Sequence, residues 1–593
     1  MKPPSPHDAQ DNSRLLLAVL ISLAILFGFR TFIEKPQLAK IEQQQKQMQA
    51  QAPSAQKPSA PPLAGEAAVR DRQEVIAAAR RIPIHGSKVT GSISLAGGRI
   101  DDLSLNEHYT TIDNKEHVAL LSPSGTKDAY YVESGWTGDD KTTALPDEKT
   151  AWTLAPGSAQ TLETNGSVTL QWDNGQGLLF ERTIALDDNY LFNITQKITN
   201  KTNAGKKFNA WHLISRHSLP VDFKGFFILH EGPLAYLDGK LKEMSYKDLA
   251  KGDTVEREGV KGWLGITDKY WFVGIFPGAD EKINARIIGS KADGVQIYQT
   301  DIVSETQAVA PGQFIEDKKL IFAGVKNLPL MTAYQEKYGL SHLDLTFDFG
   351  WWYFITKPFF YLLHFLMDHI GNVGLAILAM TVIIRGAVFP LANKSFRSMA
   401  GMKKIAPQLK ALQEKHGGNR EKLQMEIFEL YKKENVNPFS GCWPLLIQIP
   451  IFFALYKSIL LSVELRHAPF WGWIHDLSAA DPTNLFTLFG LIPWTPPAAL
   501  TIGAWPLLFC LTMIIQKRLT PPMPDKTQEQ LQTYFPFIIT FMLAKFASGL
   551  VIYWTWSNVL GVLQQYYILR KVGGQEVSLI HGHSERRKKK PHG

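Results

Sequence analysis

Five apolar segments in the C-terminal part of the chain constrain its fold more than any other feature. Their lengths approach or reach the roughly 20 residues that a helix needs to cross the hydrocarbon core of a bilayer. Because backbone groups in lipid must pair within their own segment, helices are the expected form. We predict transmembrane helices at 371–390, 438–462, 499–516, 533–547 and 549–569.

A sixth apolar segment lies near the N-terminus. Residues 15–33 are predicted to form an uncleaved transmembrane signal anchor, and a cleaved signal peptide is the alternative because its apolar region is usually this short. Residues 1–14 carry no net positive charge, and no clear A-x-A site follows promptly, which favours the anchor. Residues 34–81 are rich in Gln, Ala and Pro and predict an extended linker.

Composition limits the chemistry of the chain. The 593 residues have a mean hydropathy of −0.10 and a net charge of +8, averages that hide apolar ends and a polar middle. The two cysteines, Cys442 and Cys510, both lie in apolar segments, so neither a disulfide framework nor a zinc site is expected. We expect no metal, no cofactor and no catalytic residues, and the protein is not predicted to be an enzyme.

Residues 82–340 show short alternating apolar runs separated by Asn-Gly and Gly-Gly turns. This pattern predicts a large antiparallel β-sandwich. The pairs Trp211-His212, Arg216-His217 and His230-Glu231 are candidate polar sites in it. They have no repeating ligand spacing, and structural histidines are the favoured interpretation.

Charge predicts the orientation of the membrane segments, because cytoplasmic loops are enriched in Lys and Arg. Segment 391–437 holds ten Lys or Arg against five Glu, and the tail 570–593 holds seven basic residues against two acidic. Loop 463–498 has one basic residue against three acidic. Both termini are therefore predicted to be cytoplasmic and the β-domain to lie outside. The remaining predicted segments are an amphipathic interfacial helix at 350–367, a cytoplasmic helical hairpin at 391–437, an outer loop at 463–498, a cytoplasmic loop at 517–532 and a basic cytoplasmic tail at 570–593.

Arg385 is a charged residue within the apolar segment 371–390. A charge in a bilayer costs several kcal/mol by most scales and marks a functional site by default. The alternative is that its long side chain reaches the nearby headgroups, since Pro390 is only about 7–8 Å of helix rise away. Thr381 lies four residues earlier, on the same helix face.

Further polar residues lie in the predicted spans without forming a catalytic set. With Arg385 and Thr381 they could line a hydrophilic pocket, although small polar residues in helix bundles also simply bond one helix to another. They are Gln448, Trp554, Ser557 and Asn558.

Two basic regions are candidate surfaces for ribosomal RNA, anionic lipid or another protein. A solvated hairpin that only follows the charge rule is the alternative for the first region. No DNA partner is expected. The candidate residues are Lys403, Lys404 and Lys410 in the hairpin and Arg586, Arg587, Lys588, Lys589 and Lys590 in the tail.

Four segments carry a resemblance that covers essentially the whole chain. They are 436–456 (VNPFSGCWPLLIQIPIFFALY), 463–470 (VELRHAPF), 473–478 (WIHDLS) and 548–554 (SGLVIYW). They are similar to the YidC/Oxa/Alb family of membrane protein insertases, in the long form found in Gram-negative bacteria.

The resemblance implies a multi-domain membrane protein of six transmembrane helices, which are an N-terminal anchor and a five-helix insertase core. It also implies a large periplasmic β-domain that resembles the galactose-mutarotase-like supersandwich, and a location in the bacterial inner membrane. The implied function is to insert and fold inner-membrane proteins through a hydrophilic groove, alone or with the Sec translocon. Nascent membrane proteins, the Sec translocon, the ribosome and membrane lipids are the implied partners.

In the implied groove, Arg385 attracts acidic residues in the exported tail of a client, whose apolar segment slides past Thr381 and Trp554 into lipid. Burial of the client's apolar residues drives the step without a nucleotide. Two departures from the family pattern stand out. Trp554 occupies a position where the family often has Tyr, and residues 491–502 form an insertion before the predicted span at 499–516.

Three other classes of protein remain as alternatives. A secondary transporter predicts inverted repeats, and the sequence shows no internal repeat. An intramembrane protease needs two aspartates or a Ser/His pair within the spans, and Ser548 has no evident His partner. A tethered sugar-processing enzyme would leave the five C-terminal apolar segments unexplained.

Overall fold

The computed structural model describes residues 70–573, apart from 221–222, 224, 226–228, 293, 417–419, 435–442, 495, 498–500 and 521–525. The predicted anchor at 15–33, most of the linker at 34–81 and the tail beyond residue 573 lie outside the described residues.

Two largely antiparallel β-sheets account for most of the described residues between 81 and 325. The strands in chain order are β1 (Arg81–His85), β2 (Val89–Ser94), β3 (Ile100–Tyr109), β4 (His117–Leu121), β5 (Tyr130–Gly138), β6 (Thr153–Leu154), β7 (Leu162–Glu163), β8 (Ser167–Asp173), β9 (Leu178–Leu186), β10 (Leu191–Asn200), β11 (Lys206–His217), β12 (Gly232–Leu237), β13 (Lys240–Glu243), β14 (Val255–Val260), β15 (Gly262–Thr267), β16 (Trp271–Phe276), β17 (Ile283–Ala292), β18 (Val295–Ser304), β19 (Gln307–Val309) and β20 (Phe314–Val325).

One sheet has the strand order β14-β17-β18-β11-β5-β3-β2-β1-β7, with β19 beside β11 and β4 beside β3. The other has the order β13-β12-β15-β16-β20-β10-β9-β8-β6. The inward-facing residues of both sheets share one buried apolar core. The β-rich domain predicted from alternation is therefore present, as a pair of sheets larger than a simple seven-stranded sandwich.

The hairpin of β8 and β9 shows why these residues form strands. Along β9, residues alternate regularly between buried and partly buried positions, as a strand with one face on a core requires. The connecting segment 173–177 reverses the chain at Gly175 and Gly177, whose φ angles of 69° and 86° suit glycine. The turn residues noted in the sequence therefore set the register of this hairpin.

One short helix precedes the first strand, another lies between β13 and β14, and longer helices follow the β-domain. The α-helices are α1 (Arg72–Ala78), α2 (Tyr246–Leu249), α3 (Leu328–Tyr338), α4 (Tyr353–Ile370), α5 (Val373–Ala387), α6 (Phe389–His416), α7 (Arg420–Lys433), α8 (Trp443–Leu461), α9 (Ala504–Leu519), α10 (Lys526–Leu543) and α11 (Ser548–Gly573).

Several helix limits differ from the predicted spans. The segment 371–390 is broken, because α5 ends at Ala387 and α6 leaves it at 62°. Pro390, in the first turn of α6, lacks the N–H that would continue α5. α10 begins seven residues before the predicted span at 533–547, because polar residues such as Gln528 and Gln530 continue a helix that hydropathy alone does not detect.

Among the described residues, no single helix has both the length and the apolar composition required to span a bilayer, whereas the bent pair Val373–Ala387 and Phe389–Arg397 meets both requirements together.

The β-domain and the helices share contacts around the start of α4 and the end of α8. The Lys457 ammonium on α8 forms an ion pair of 2.7 Å with Asp348, which precedes α4. The same carboxylate accepts a hydrogen bond of 2.9 Å from the backbone N–H of His230 in the β-domain. Arg466, just after α8, donates to the backbone carbonyl of Tyr109 at the end of β3. This end of the helical region is thereby fixed to the β-domain.

Candidate functional site

Arg385 lies in the last turn of α5, and its side chain turns toward α11. Nε and Nη2 both donate to Oγ of Ser557, at 3.1 and 2.8 Å. In the described part of the chain no carboxylate pairs with this guanidinium. The charge is therefore held by a neutral hydroxyl, which leaves its attraction for an anion uncompensated.

The guanidinium faces a small pocket between three helices, which we call the arginine pocket. Its lining combines four aliphatic side chains with five that carry a polar group. The lining residues are Thr381, Ile384, Arg385 and Val388 from α5, Gln448, Ile451 and Leu455 from α8, and Tyr553 and Ser557 from α11.

Helical spacing explains why these residues share one space. Thr381 and Arg385 are four residues apart on α5, as are Tyr553 and Ser557 on α11. Gly561 lies one turn further along α11, and a Cβ there would stand 3.5 Å from both terminal nitrogens of Arg385. The glycine therefore leaves the guanidinium room to lie against the helix.

The structure brings four of the predicted residues together and separates two others from them. Thr381, Arg385, Gln448 and Ser557 line the arginine pocket. The Thr381 hydroxyl donates to the backbone carbonyl of Ile377 at 2.7 Å, so its donor is used within α5. Its remaining capacity is to accept a hydrogen bond.

Trp554 does not line the arginine pocket. Its ring stacks on Phe452 at a centroid distance of 5.1 Å, contacts Phe509 and Phe546, and is only 6% exposed. A tryptophan packed in this way belongs to the apolar core between α8, α9 and α11. In this conformation the indole is not open to a passing segment as the resemblance implied.

Asn558 also points elsewhere. Its side-chain amide donates to the Thr512 hydroxyl on α9 at 3.3 Å. The residue thus bonds one helix to another, the alternative that the sequence left open for small polar residues.

Two residues that the sequence did not single out belong to the site. Tyr553 is fully buried against the arginine pocket, and Gly561 provides the space beside the guanidinium. A signal for both existed, since they lie four residues before and four residues after Ser557 on one helical face.

Only part of the predicted basic surface is described. Lys410 is exposed on α6. The side chains of Lys403 and Lys404, and all of 586–590, lie outside the described residues. The interpretation of this surface as a partner site stays a prediction.

Two candidate histidines of the β-domain, His212 and His217, are buried, and His230 is partly buried. The ring of His212 forms two hydrogen bonds of 2.8 Å, one between Nδ1 and the Ser134 hydroxyl and one between Nε2 and the Asp317 carboxylate. The ring is fully enclosed between the sheets. Burial lowers the pKa of His212, which keeps the ring neutral. The Ser134, His212 and Asp317 side chains are thus bonded to one another in a buried position between the two sheets. In the described ranges no group of His, Cys, Asp and Glu is arranged to hold a metal ion.

Comparison with protein families gives two matches that together span most of the chain. The family described as "YidC periplasmic domain" matches residues 81–362. The family described as "60Kd inner membrane protein" matches residues 365–575.

Three curated relatives are similar over most of their length, and each is named "Membrane protein insertase YidC". The one from Bradyrhizobium diazoefficiens is 44% identical, over 95% of this chain and 97% of its own. The one from Nitrobacter hamburgensis is 45% identical over 86% of each chain. The one from Agrobacterium fabrum is 43% identical over 85% of this chain and 84% of its own. None is named as a transporter, so that alternative has no support.

Solved structures give weaker similarities. The crystal structure of an active YidC insertase with its first transmembrane domain resolved is 18% identical, over 82% of this chain and 92% of its own, with a TM-score of 0.36. A galactose mutarotase related enzyme from Lactobacillus acidophilus is 13% identical, over 42% of this chain and all of its own, with a TM-score of 0.30. TM-scores this low carry no structural conclusion.

Proposed function

This chain belongs to the YidC family of membrane protein insertases, and we propose that its arginine pocket receives the exported tail of a client protein during insertion. The family assignment makes the chain an insertase of the bacterial inner membrane with a periplasmic domain. In this proposal the client's tail enters the arginine pocket, and the charge of Arg385 attracts it.

The observation that supports this is the pairing of Arg385 with a hydroxyl instead of a carboxylate. A cation between packed helices, partnered by neutral groups, attracts an anion more strongly than an exposed one does, because water screens it less. An acidic residue in a client's tail would gain this attraction as it leaves the cytoplasm. Thr381, Gln448 and Ser557 offer neutral hydrogen-bonding groups beside it, which lowers the penalty for moving a polar tail through the bilayer.

The test compares two single-span clients that differ only in their exported tails, one with acidic residues and one with the matching amides. Purified protein is reconstituted in vesicles, and insertion is measured as protease protection of the tail. We expect Arg385→Ala to slow insertion of the acidic client several-fold and that of the amide client much less, whereas Arg385→Lys retains most of the difference.

Ile383→Ala is the matched control, because Ile383 is exposed and lies on the opposite face of α5. Equal losses for both clients with Arg385→Ala would show that the charge does not act on the tail. A photo-crosslinking residue at Gln448, compared with one at Ile383, locates the client independently of activity.

The proposal includes a cytoplasmic hairpin formed by α6 and α7, with both chain termini on the same side of the membrane. Its basic residues, with those of the tail, would contact the ribosome and anionic lipid, and the helical core would work alone or beside the Sec translocon. The support is the excess of Lys and Arg in 391–437 and 570–593. Co-sedimentation with ribosomes at increasing salt, with and without residues 580–593, tests the tail contact, since electrostatic binding weakens with salt.

A further inference from the structure

The connection between α8 and α9 exposes a cluster of large apolar side chains in residues 485–494, which we call the apolar loop. Its residues lie between Leu485 and Trp494, and Leu491 is 82% exposed. The other exposed members are Leu485, Phe486, Leu488, Phe489, Ile492 and Trp494. A cluster of this kind on a protein surface marks a contact with lipid or another molecule.

Charge is absent from this region over a long stretch. No Asp, Glu, Lys or Arg occurs from Pro482 to Gln516, a range that includes the apolar loop and most of α9. Loops that face water normally carry charged and polar side chains, which keep them soluble. The composition of the apolar loop matches that of the helix that follows it.

Most backbone N–H groups of the apolar loop are paired, chiefly with residues of the loop and of its base. The N–H of Phe489 donates to the carbonyl of Asn484, and the N–H of Ile492 donates to the carbonyl of Thr487, both at 2.9 Å. The side chain of Asn484 accepts from the N–H of Phe486 at 3.0 Å. Such pairing is what irregular backbone requires at the edge of a bilayer, where water no longer satisfies every polar group.

Two residues of the apolar loop adopt a backbone conformation that is unusual for their type. Leu488 and Phe489 have φ angles of 44° and 58°, in the left-handed region that favours glycine. Both side chains are about half exposed. The fold therefore accepts local strain and leaves two apolar groups outside the protein core.

The base of the apolar loop is fixed beside other exposed aromatic residues. Asp481 accepts from the indole N–H of Trp473 at 3.1 Å and from the backbone N–H of Trp505 at 2.8 Å. Trp471 and Trp473 are themselves 64% and 41% exposed. Tryptophan is enriched where a membrane meets water. Arg466, which contacts the β-domain, belongs to the same connection, so these residues lie toward the β-domain end of the helices.

We infer that residues 485–494 insert into the bilayer leaflet nearest the β-domain, where Leu488, Phe489 and Leu491 contact the boundary between lipid headgroups and acyl chains. The occupant of this surface is lipid, because the loop is uncharged, has most of its backbone N–H groups paired and lies beside exposed tryptophans. The inference requires only that the protein lies in a membrane, and it is independent of the role of Arg385.

The test uses one fluorescent label at a time on the full-length protein with Cys442→Ser and Cys510→Ala. Leu491→Cys carries an environment-sensitive nitrobenzoxadiazole group, and the protein is reconstituted in vesicles of phosphatidylethanolamine and phosphatidylglycerol. Phe314→Cys is the matched control, because Phe314 is also apolar and 57% exposed but begins β20, whose other end leads to α3. Because β20 has twelve residues, Phe314 lies about 40 Å from the end of the strand that leads to α3 and the helices.

We expect spin-labelled lipid to remove most of the emission at position 491 and iodide to have little effect, with the reverse result at position 314. A label at position 491 that iodide quenches as strongly as the control would overturn the inference. So would protection of position 491 from both quenchers, which would show that protein covers the loop, either a second copy of this chain or another partner. Ile492→Cys repeats the measurement at a neighbouring exposed site.

Discussion

Ser557 fixes the position of the Arg385 guanidinium through two hydrogen bonds. Nε and Nη2 of the guanidinium share this single hydroxyl oxygen, and Nη1 is not bonded to it. An arginine can make several hydrogen bonds in a fixed plane. In the proposed function, the donors that Ser557 does not engage bind the acidic residues of the client.

Gly561 provides a test of this geometry that leaves the charge in place. Gly561→Ala adds a Cβ at an ordinary contact distance of 3.5 Å from the guanidinium, so we expect nearly unchanged insertion. Gly561→Leu fills the space and displaces the guanidinium from Ser557. We expect the leucine variant to lose activity to a similar degree as Arg385→Ala, measured with the acidic-tail client in vesicles. Full activity with leucine would show that the position of the guanidinium does not matter.

His217, on β11, gives the β-domain a predictable response to acid. Burial lowers the pKa of His217 to about 4, against about 6.5 in an unfolded chain. As the pH falls below about 6.5, His217 therefore becomes protonated in the unfolded state but stays neutral in the folded state. Stability decreases between about pH 6.5 and pH 4, by on the order of 3 kcal/mol for this residue.

We expect His217→Gln to flatten this dependence, so that the urea midpoint of the β-domain falls less between pH 7 and pH 5 than it does in the unsubstituted protein. The measurement follows the β-sheet circular dichroism of the full-length protein in detergent. His85→Gln is the control, because His85 is exposed on β1. Identical pH dependence in the His217→Gln and unsubstituted proteins would contradict the assignment.

At the scale of elements, the sequence predicted what depends on local pattern. The alternation of β9 and the glycines at 175 and 177 are local signals, and both the strand and its turn are found. The break between α5 and α6 was missed, although Pro390 was visible, because an apolar run continues across it. Hydropathy averages over a window and does not register one missing backbone donor.

The ion pair of Lys457 and Asp348 joins α8 to the β-domain. No local pattern predicts it, because the partners are over a hundred residues apart. Both side chains are largely buried. We expect Asp348→Asn to leave the ammonium unpaired and to reduce stability by about 3 kcal/mol. The double variant Asp348→Asn with Lys457→Met should recover much of that loss, because it leaves no uncompensated charge and keeps a side-chain oxygen for the backbone N–H of His230.

Thermal unfolding in detergent, together with proteolysis of the segment between α3 and α4, checks this prediction. If Asp348→Asn unfolds at the same temperature as the unsubstituted protein, the pair does not hold the two parts together. Lys240→Met is a suitable control, since it removes an exposed lysine from β13.

At the scale of the whole molecule, the orientation predicted from charge can be tested directly. We expect Lys240→Cys on β13 to react with a membrane-impermeant maleimide in intact spheroplasts. Lys410→Cys on α6 should react only after the membrane is opened. Both are exposed positions, and both are placed in the background with Cys442→Ser and Cys510→Ala. Labelling of both from the same side would refute the predicted topology.

The composition of the site shows where reasoning from sequence reaches its limit. Arg385 and Thr381 could be paired in advance, because helix periodicity relates residues on one element. Trp554 and Ser557 are three residues apart on α11, yet only Ser557 lines the arginine pocket. The direction in which each of these two side chains points depends on how α11 packs against α8 and α9, and no local sequence pattern predicts that packing.

The bend between α5 and α6 has a mechanical consequence. α6 has 28 residues and is about 42 Å long, so a rotation of about 10° at the bend moves its far end by about 7 Å. α11 holds both sides of this joint, through Ser557 to Arg385 and through Gln564 to the carbonyl of Phe389. A displacement of α11 that moved both contacts would therefore be magnified at the far end of α6.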